Sequence, residues 1–242
     1  MGLFELLRRD ESATKTTRRA MKEARSNRAG PAERNGVGDA LQSMVESFRD
    51  VGLNGRFNYS SAEEVARRAS QRSRGNPEMA VRQVVRQHRR GVTVLGFLTG
   101  LGGLFTLPVL LPANIFEFYV QATRMVGSIA SLRGYDLKEE EVRTRVLAAL
   151  VGEESEDVLA SIGLGPIAGA ATRQITKYLP ASSSSVVARA IGGRVLRRFG
   201  LQSVRLFGKA IPGLGGVIGA LSDRSMLKKI ARTARKDFPA VR

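Results

Sequence analysis

Along most of this chain apolar residues recur every three or four positions, and nowhere do they alternate strictly with polar ones, so the pattern predicts an all-α, multi-helix bundle. The periodicity begins at Asp39 with Leu41, Met44, Val45 and Phe48, and stops at Gly52. A Gly/Asn-rich loop over 52–59 follows, and Ser60, Ser61, Ala62 and Glu63 read as the start signal of the next helix. A third helix opens at Pro77 and carries Met79, Val81, Val84 and Val85 to an expected end at His88, Arg89 and Arg90, cations that suit a helix C-terminus.

The pattern then changes. From Gly91 to Phe116 there are 26 residues without a formal charge, interrupted by Pro108 and Pro112. Two prolines argue against one straight membrane span and for a helical hairpin. Its first arm is expected over 92–105, with Gly96 and Gly100 as a small-xxx-small pair and Gly102 and Gly103 close behind. The second arm is expected to open at Asn114 as N-cap, with Glu117 completing a capping box, and to close at Gly134. Such a hairpin suits either a bundle core or the acyl boundary of a bilayer.

Beyond it, Asp136 to Glu139 predicts a capping box for a helix bearing Val142, Val146, Leu147 and Leu150 and ending at Gly152. An acidic turn over 153–157 leads into a short helix over 158–162. Residues 163–178 hold Gly165 and Gly169 at small-xxx-small spacing, residues 182–185 read as a serine turn, and basic helices follow over 186–199 and 201–209. Residues 211–221 form a shorter apolar echo of the first arm, with Pro212, Gly213, Gly215, Gly216 and Gly219. The last helix, 223–238, sets Leu227, Ile230, Ala231 and Ala234 against Lys228, Lys229, Arg232, Arg235 and Lys236.

Charge sharpens this picture. Lys and Arg minus Asp and Glu give +8 for residues 1–90, −4 for 91–172 and +13 for 173–242, the formal +17 of the whole. Positive charge flanks an apolar, slightly acidic middle, which calls for an anionic neighbour such as lipid headgroups or nucleic acid. Residues 1–38 are rich in Arg, Lys, Ser, Thr, Asn and Gly and read as a flexible basic arm, leaving 39–240 as one helical domain. The first residues lack a signal-peptide pattern, so an intracellular protein is expected.

Little chemistry is visible. With no Cys there are no thiolate metal sites, disulfides or cysteine nucleophiles, and with one His no Ser/His/acid triad has an identifiable partner. The acids at 139–141 and 153–157 are consecutive and surface-like, without ligand spacing. Gly213, Gly215, Gly216 and Gly219 do not fit a dinucleotide fingerprint, and no phosphate-binding Gly-Lys-Ser/Thr loop occurs. No catalytic residue, metal or cofactor is expected.

One ordered set of phrases is specific: His88-Arg89-Arg90, then Thr99-Gly100-Leu101-Gly102-Gly103 running to Pro108, then Leu111-Pro112-Ala113-Asn114. It continues with Ala122 to Val126, Leu132-Arg133-Gly134-Tyr135-Asp136, Glu141-Val142-Arg143, Leu150-Val151-Gly152 and Ile211-Pro212-Gly213-Leu214-Gly215-Gly216. In this combination, across residues 39–239, the chain resembles the EcsC protein family. The resemblance implies a helical, intracellular and membrane-linked protein, bacterial for the most part, and supplies no catalytic set. Many relatives have an acid where this chain has Asn114, which counts against carboxylate chemistry there and leaves an N-cap role intact.

These readings converge on a non-enzymatic, membrane-associated protein on the cytoplasmic face of the cell membrane, peripheral or monotopic and accessory to a transporter or other membrane protein. Its hairpin would be the anchor, and Arg89, Arg90 and the cations of the last helix would meet the anionic surface. The alternatives are a nucleic-acid-binding polycation and a soluble helical partner protein that keeps the hairpin in its own core.

Overall fold

The computed structural model describes the backbone of residues 36–56, 59–101, 113–167, 183–195 and 214–240, and the side chains of 42–56, 59–90, 115–167, 183–195 and 223–240. Among the described residues the chain is helical without strands. The elements are α1 (Gly36–Gly52), α2 (Ala62–Arg72), α3 (Pro77–Leu101), α4 (Ala113–Leu132), α5 (Glu140–Ala148), a 3-10 segment (Ala149–Glu154), α6 (Ser155–Ser161), α7 (Ser183–Val195) and α8 (Leu214–Asp237).

Helix α4 is the axis. Ile115, Phe116, Phe118, Tyr119, Val120, Ala122, Met125, Val126, Ile129 and Ala130 are all buried, so neighbours cover it on every side, and it touches α1, α2, α3, α5 and α8. An all-round apolar helix has this as its stable home in a soluble bundle. Phe48 of α1 stacks on Tyr119 with ring centroids 5.2 Å apart and meets Phe116 at the same distance. Gly127 lets α2 close in: a Cβ there would lie 2.4 Å from Leu53 and 2.9 Å from Ala62. Ser128 beside it donates to the Ala62 carbonyl at 2.9 Å, tying the start of α2 to α4.

Helix α2 starts as expected, with Ser61 as N-cap accepting from the Glu64 N–H at 3.1 Å. Several other boundaries differ from the sequence reading. Helix α3 does not end at Arg90 but continues unbroken to Leu101, so the first Gly-rich arm is its second half and no separate helix. Likewise α8 begins at Leu214, joining the apolar echo to the basic helix. A glycine in a helix interior costs about 1 kcal/mol relative to alanine. Packing can offset that, and α3 and α8 pack along each other more extensively than any other two helices.

Asn114 is the second residue of α4 instead of a residue before it. Glu139, without a side-chain cap, precedes α5, while Asp136 accepts from the Lys138 N–H at 2.9 Å and closes a local turn. The serines at 183–185 form the first turn of α7. Glu141, expected on the surface, is buried and ion-paired with Arg145 at 2.7 Å. Gly152, at φ +68, breaks the 3-10 segment at a conformation few residues other than glycine adopt. The expected arm over 1–38 lies almost wholly outside the described residues, as do Gly102, Gly103, Pro108, Pro112, Gly169, Pro212, Gly213 and the expected helix at 201–209.

Candidate anionic-surface site

The expected signature Arg133-Gly134-Tyr135 forms a clamp on the last helix. Gly134, at φ +89, ends α4, and the Tyr135 N–H returns to the Ala130 carbonyl at 3.1 Å. That turn aims Arg133 at two other helices. Its guanidinium donates to the carbonyls of Arg235 (2.8 Å) and Phe238 (2.6 Å) at the end of α8, and pairs with Glu78 at the start of α3 (2.7 Å). Tyr135 packs edge-on against Phe238 at 5.2 Å and donates to the Pro239 carbonyl at 2.9 Å. A helix C-terminus carries unsatisfied carbonyls and partial negative charge, so a guanidinium satisfies both needs there.

One consequence concerns direction. Because the start of α3 and the end of α8 meet at Arg133, and the two helices pack along their lengths, they run antiparallel. Equal rise then sets which residues lie near one level. Arg133 sets Glu78 opposite the turn from Arg235 to Phe238 at the end of α8, so equal steps of four put Arg82, Arg86 and Arg90 within about one helical turn of Arg232, Lys228 and Arg224. All six of these cations are exposed. Both helices contact α4, and they bury Ala80, Val81 and Val84 on one and Leu227, Ile230 and Ala234 on the other. Each row lies among the exposed positions of its own helix.

Among the described residues, no carboxylate lies within ion-pairing distance of these six side chains. Successive cations in a row are about 6 Å apart along the axis and the helices lie about 10 Å apart, so all six sit within roughly a Debye length of a neighbour. They act as one field.

The other expected surface cations divide differently. Lys229 and Lys236 are exposed but bridge the acidic turn, at 3.6 Å to Glu153 and 2.5 Å to Glu156. Arg235 is half-buried, with its carbonyl taken by Arg133. Arg89 is half-buried as well, while Arg90, Lys228 and Arg232 are exposed. Sequence reading missed Arg82, Arg86 and Arg224. Helix periodicity gives the first two, at i and i+4 with Arg90, once α3 is known to continue past that residue.

His88 is corrected more sharply. It is 5% exposed, donates from Nδ1–H to the Val84 carbonyl at 2.9 Å, and burial with the nearby Arg124 pushes its pKa down to about 4. It is therefore a neutral core residue and adds nothing to the surface charge. Arg124 lies over the Tyr59 ring at 4.8 Å, donates to Gln121 at 2.7 Å, and is drawn toward Glu117, which accepts from Tyr59 at 3.4 Å. This polar cluster is internal, and among the described residues no group of His, Asp and Glu could hold a metal ion.

Gly96 and Gly100 lie in the last turns of α3, and Gly215, Gly216 and Gly219 in the first turns of α8. Among the described residues no helix is long and apolar enough to cross a membrane.

Among the described residues, fold and surface define an all-helical bundle with rows of exposed cations on two antiparallel helices. The chain matches the model of the EcsC protein family over residues 6–239 and belongs to that family. The match begins well before Asp39, inside the basic N-terminal stretch, and ends where the resemblance was expected to end. No curated protein and no solved structure matches the chain.

Proposed function

We propose that this protein is a peripheral membrane protein of the cytoplasmic face that holds an anionic lipid surface through the paired rows Arg82, Arg86, Arg90 and Arg224, Lys228, Arg232. The observation that carries the reading is two rows of exposed cations, each repeating every four residues along its helix, with Glu153 and Glu156 of the acidic turn taken by Lys229 and Lys236. Like charges held this close repel, and an anionic partner relieves that cost. Each Lys or Arg near an anionic surface contributes about 1 kcal/mol, so the six suffice for localisation without any deeper anchor.

The test is vesicle co-sedimentation. Wild-type protein should bind phosphatidylglycerol-containing vesicles and not pure phosphatidylcholine, with binding that weakens as salt rises. Changing Arg82, Arg86 and Arg90 to Gln should weaken binding about 100-fold, the equivalent of about 3 kcal/mol. Undiminished binding by that variant would remove the rows from the mechanism. Sub-micromolar retention of nucleic acid in gel shifts at physiological salt, with no vesicle binding, would put the same cations on a nucleic-acid partner instead.

A further inference from the structure

Charge stops at nearly the same height on both paired helices. On α3 the last charged residue is Arg90, and residues 91–101 carry none; on α8 residues 214–222 carry none, and charge begins at Asp223 and Arg224. By the register that Arg133 sets, Arg90 and Arg224 lie within about one helical turn of the same level. Two segments more than 100 residues apart in sequence thus end their charged portions near one plane. Nothing in the sequence of either helix demands that coincidence. A boundary between water and hydrocarbon would.

From these observations we infer that the uncharged ends of α3 and α8 enter the acyl region of a single leaflet, with Arg90 and Arg224 at headgroup level. This deepens the surface-binding reading and rests on it.

The described helical residues of α3 and α8 beyond the charge boundary, eleven and nine, extend about 16 Å and about 14 Å, about half of a hydrocarbon core of about 30 Å, and among the described residues no helix is long and apolar enough to cross it. Backbone chemistry permits the entry, because helical N–H and C=O groups bond within their own segment. Composition permits the pairing: Gly96 and Gly100 fall near the levels of Gly219 and Gly215, and small residues allow two helices to approach where no hydrophobic effect drives them together.

The rest of the fold sets the tilt. Helix α1 contacts α4, α5 and α7, on the side of α4 away from the α3–α8 pair, and bears the exposed Glu46 near the start of α4. A leaflet parallel to the end of the bundle would immerse that carboxylate. The pair therefore leads into the bilayer with α1 held clear, and the basic rows lie against the headgroups along the leading face.

The chain contains no cysteine, so single reporters are straightforward. Phe97→Cys and Val217→Cys, which lie near one level, would carry an environment-sensitive fluorophore, with Leu98→Cys as a second site on α3; Glu63→Cys and Glu46→Cys, both at exposed positions outside the basic rows, serve as aqueous controls. On phosphatidylglycerol/phosphatidylcholine vesicles, labels at 97, 98 and 217 should shift to shorter wavelength and be quenched by nitroxide-bearing acyl chains. Labels at 46 and 63 should stay open to external iodide.

Vesicle binding that leaves the labels at 97, 98 and 217 at their aqueous emission overturns insertion and leaves the surface reading standing. Quenching of the same labels by iodide trapped inside the vesicles overturns the single-leaflet depth. Failure of the unlabelled protein to bind these vesicles overturns both readings together.

Discussion

The two ends of the α3–α8 pair are built on opposite principles. At the clamp end, Arg133 joins Glu78 to two carbonyls of the last helix, Tyr135 holds Pro239, and Ser155 donates to the buried Asp237 at 2.7 Å. At the other end residues 91–101 and 214–222 offer no charged side chain. One end is specified by directional polar contacts that work in a half-dry interior; the other has no charged residue with which to make them. The difference separates stability from surface recognition. Changes at the clamp should unfold the protein without altering what it binds, and changes along the outer rows should do the reverse.

The largest stability loss is expected from Arg133→Ala. It strands two carbonyls and half of an ion pair whose guanidinium is 9% exposed, and should lower unfolding free energy by about 3 kcal/mol in urea titrations. Vesicle affinity measured well below the unfolding transition should stay within about threefold of wild type. An equal loss in both measurements would collapse the separation of the two ends.

His88 sits between the ends, and its expected effect is of similar size but tied to pH. Its folded pKa of about 4 lies below the usual 6.5, so the unfolded chain binds the proton first as acid is added. Stability from the neutral imidazole is present in full above about 6.5 and drains as pH falls toward 4, by about 3 kcal/mol in all. Comparing urea midpoints of wild type and His88→Gln across that window isolates the term; parallel curves would refute it. Asp237 at the clamp end has the opposite sign. Burial raises its pKa, so its folded form gains relative stability as pH falls below that raised value.

Tyr135→Phe makes a smaller cut at the clamp. It removes the bond to Pro239 while keeping the edge-on contact with Phe238, and a loss of about 1 kcal/mol is expected in the same titration. Smallest of all should be Lys229→Gln with Lys236→Gln. These exposed lysines bridge exposed carboxylates, and such pairs contribute only a few tenths of a kcal/mol. Their effect on vesicle binding should fall well short of that of Lys228→Gln with Arg232→Gln. Equal effects from the two pairs would show that only net charge matters and that position on α8 does not.

Much of the fold was legible from residue pattern. The helices around Phe48, Val84 and Ile230 follow from three- and four-residue spacing, because that spacing matches one buried stripe of an α-helix. The start of α2 was legible in the stretch from Ser60 to Glu63, and Gly134 as a stop, because each meets a local backbone requirement. The continuity of α3 past Arg90 and of α8 across residues 214–222 was not. Glycine and clustered cations are ordinary stop signals, and only tertiary packing against a second helix outweighs a local penalty of about 1 kcal/mol per glycine.

The surface divides in the same way. Composition alone established that the chain is strongly basic, helical and without cysteine chemistry, since counts and periodicities are properties of the chain before it folds. Which cations remain available was decided by the fold. Lys236 and Arg232 are one turn apart on the same helix, yet the first meets Glu156 and the second meets solvent, because the 3-10 segment packs on α8 and brings the first turn of α6 beside Lys236 and Asp237. Likewise Arg90 and Arg224 lie near one level only because Arg133 fixes the antiparallel register of two helices far apart in sequence. Charge is written residue by residue, but a charged face is a distance relation, and distances between remote segments exist only once the chain has packed.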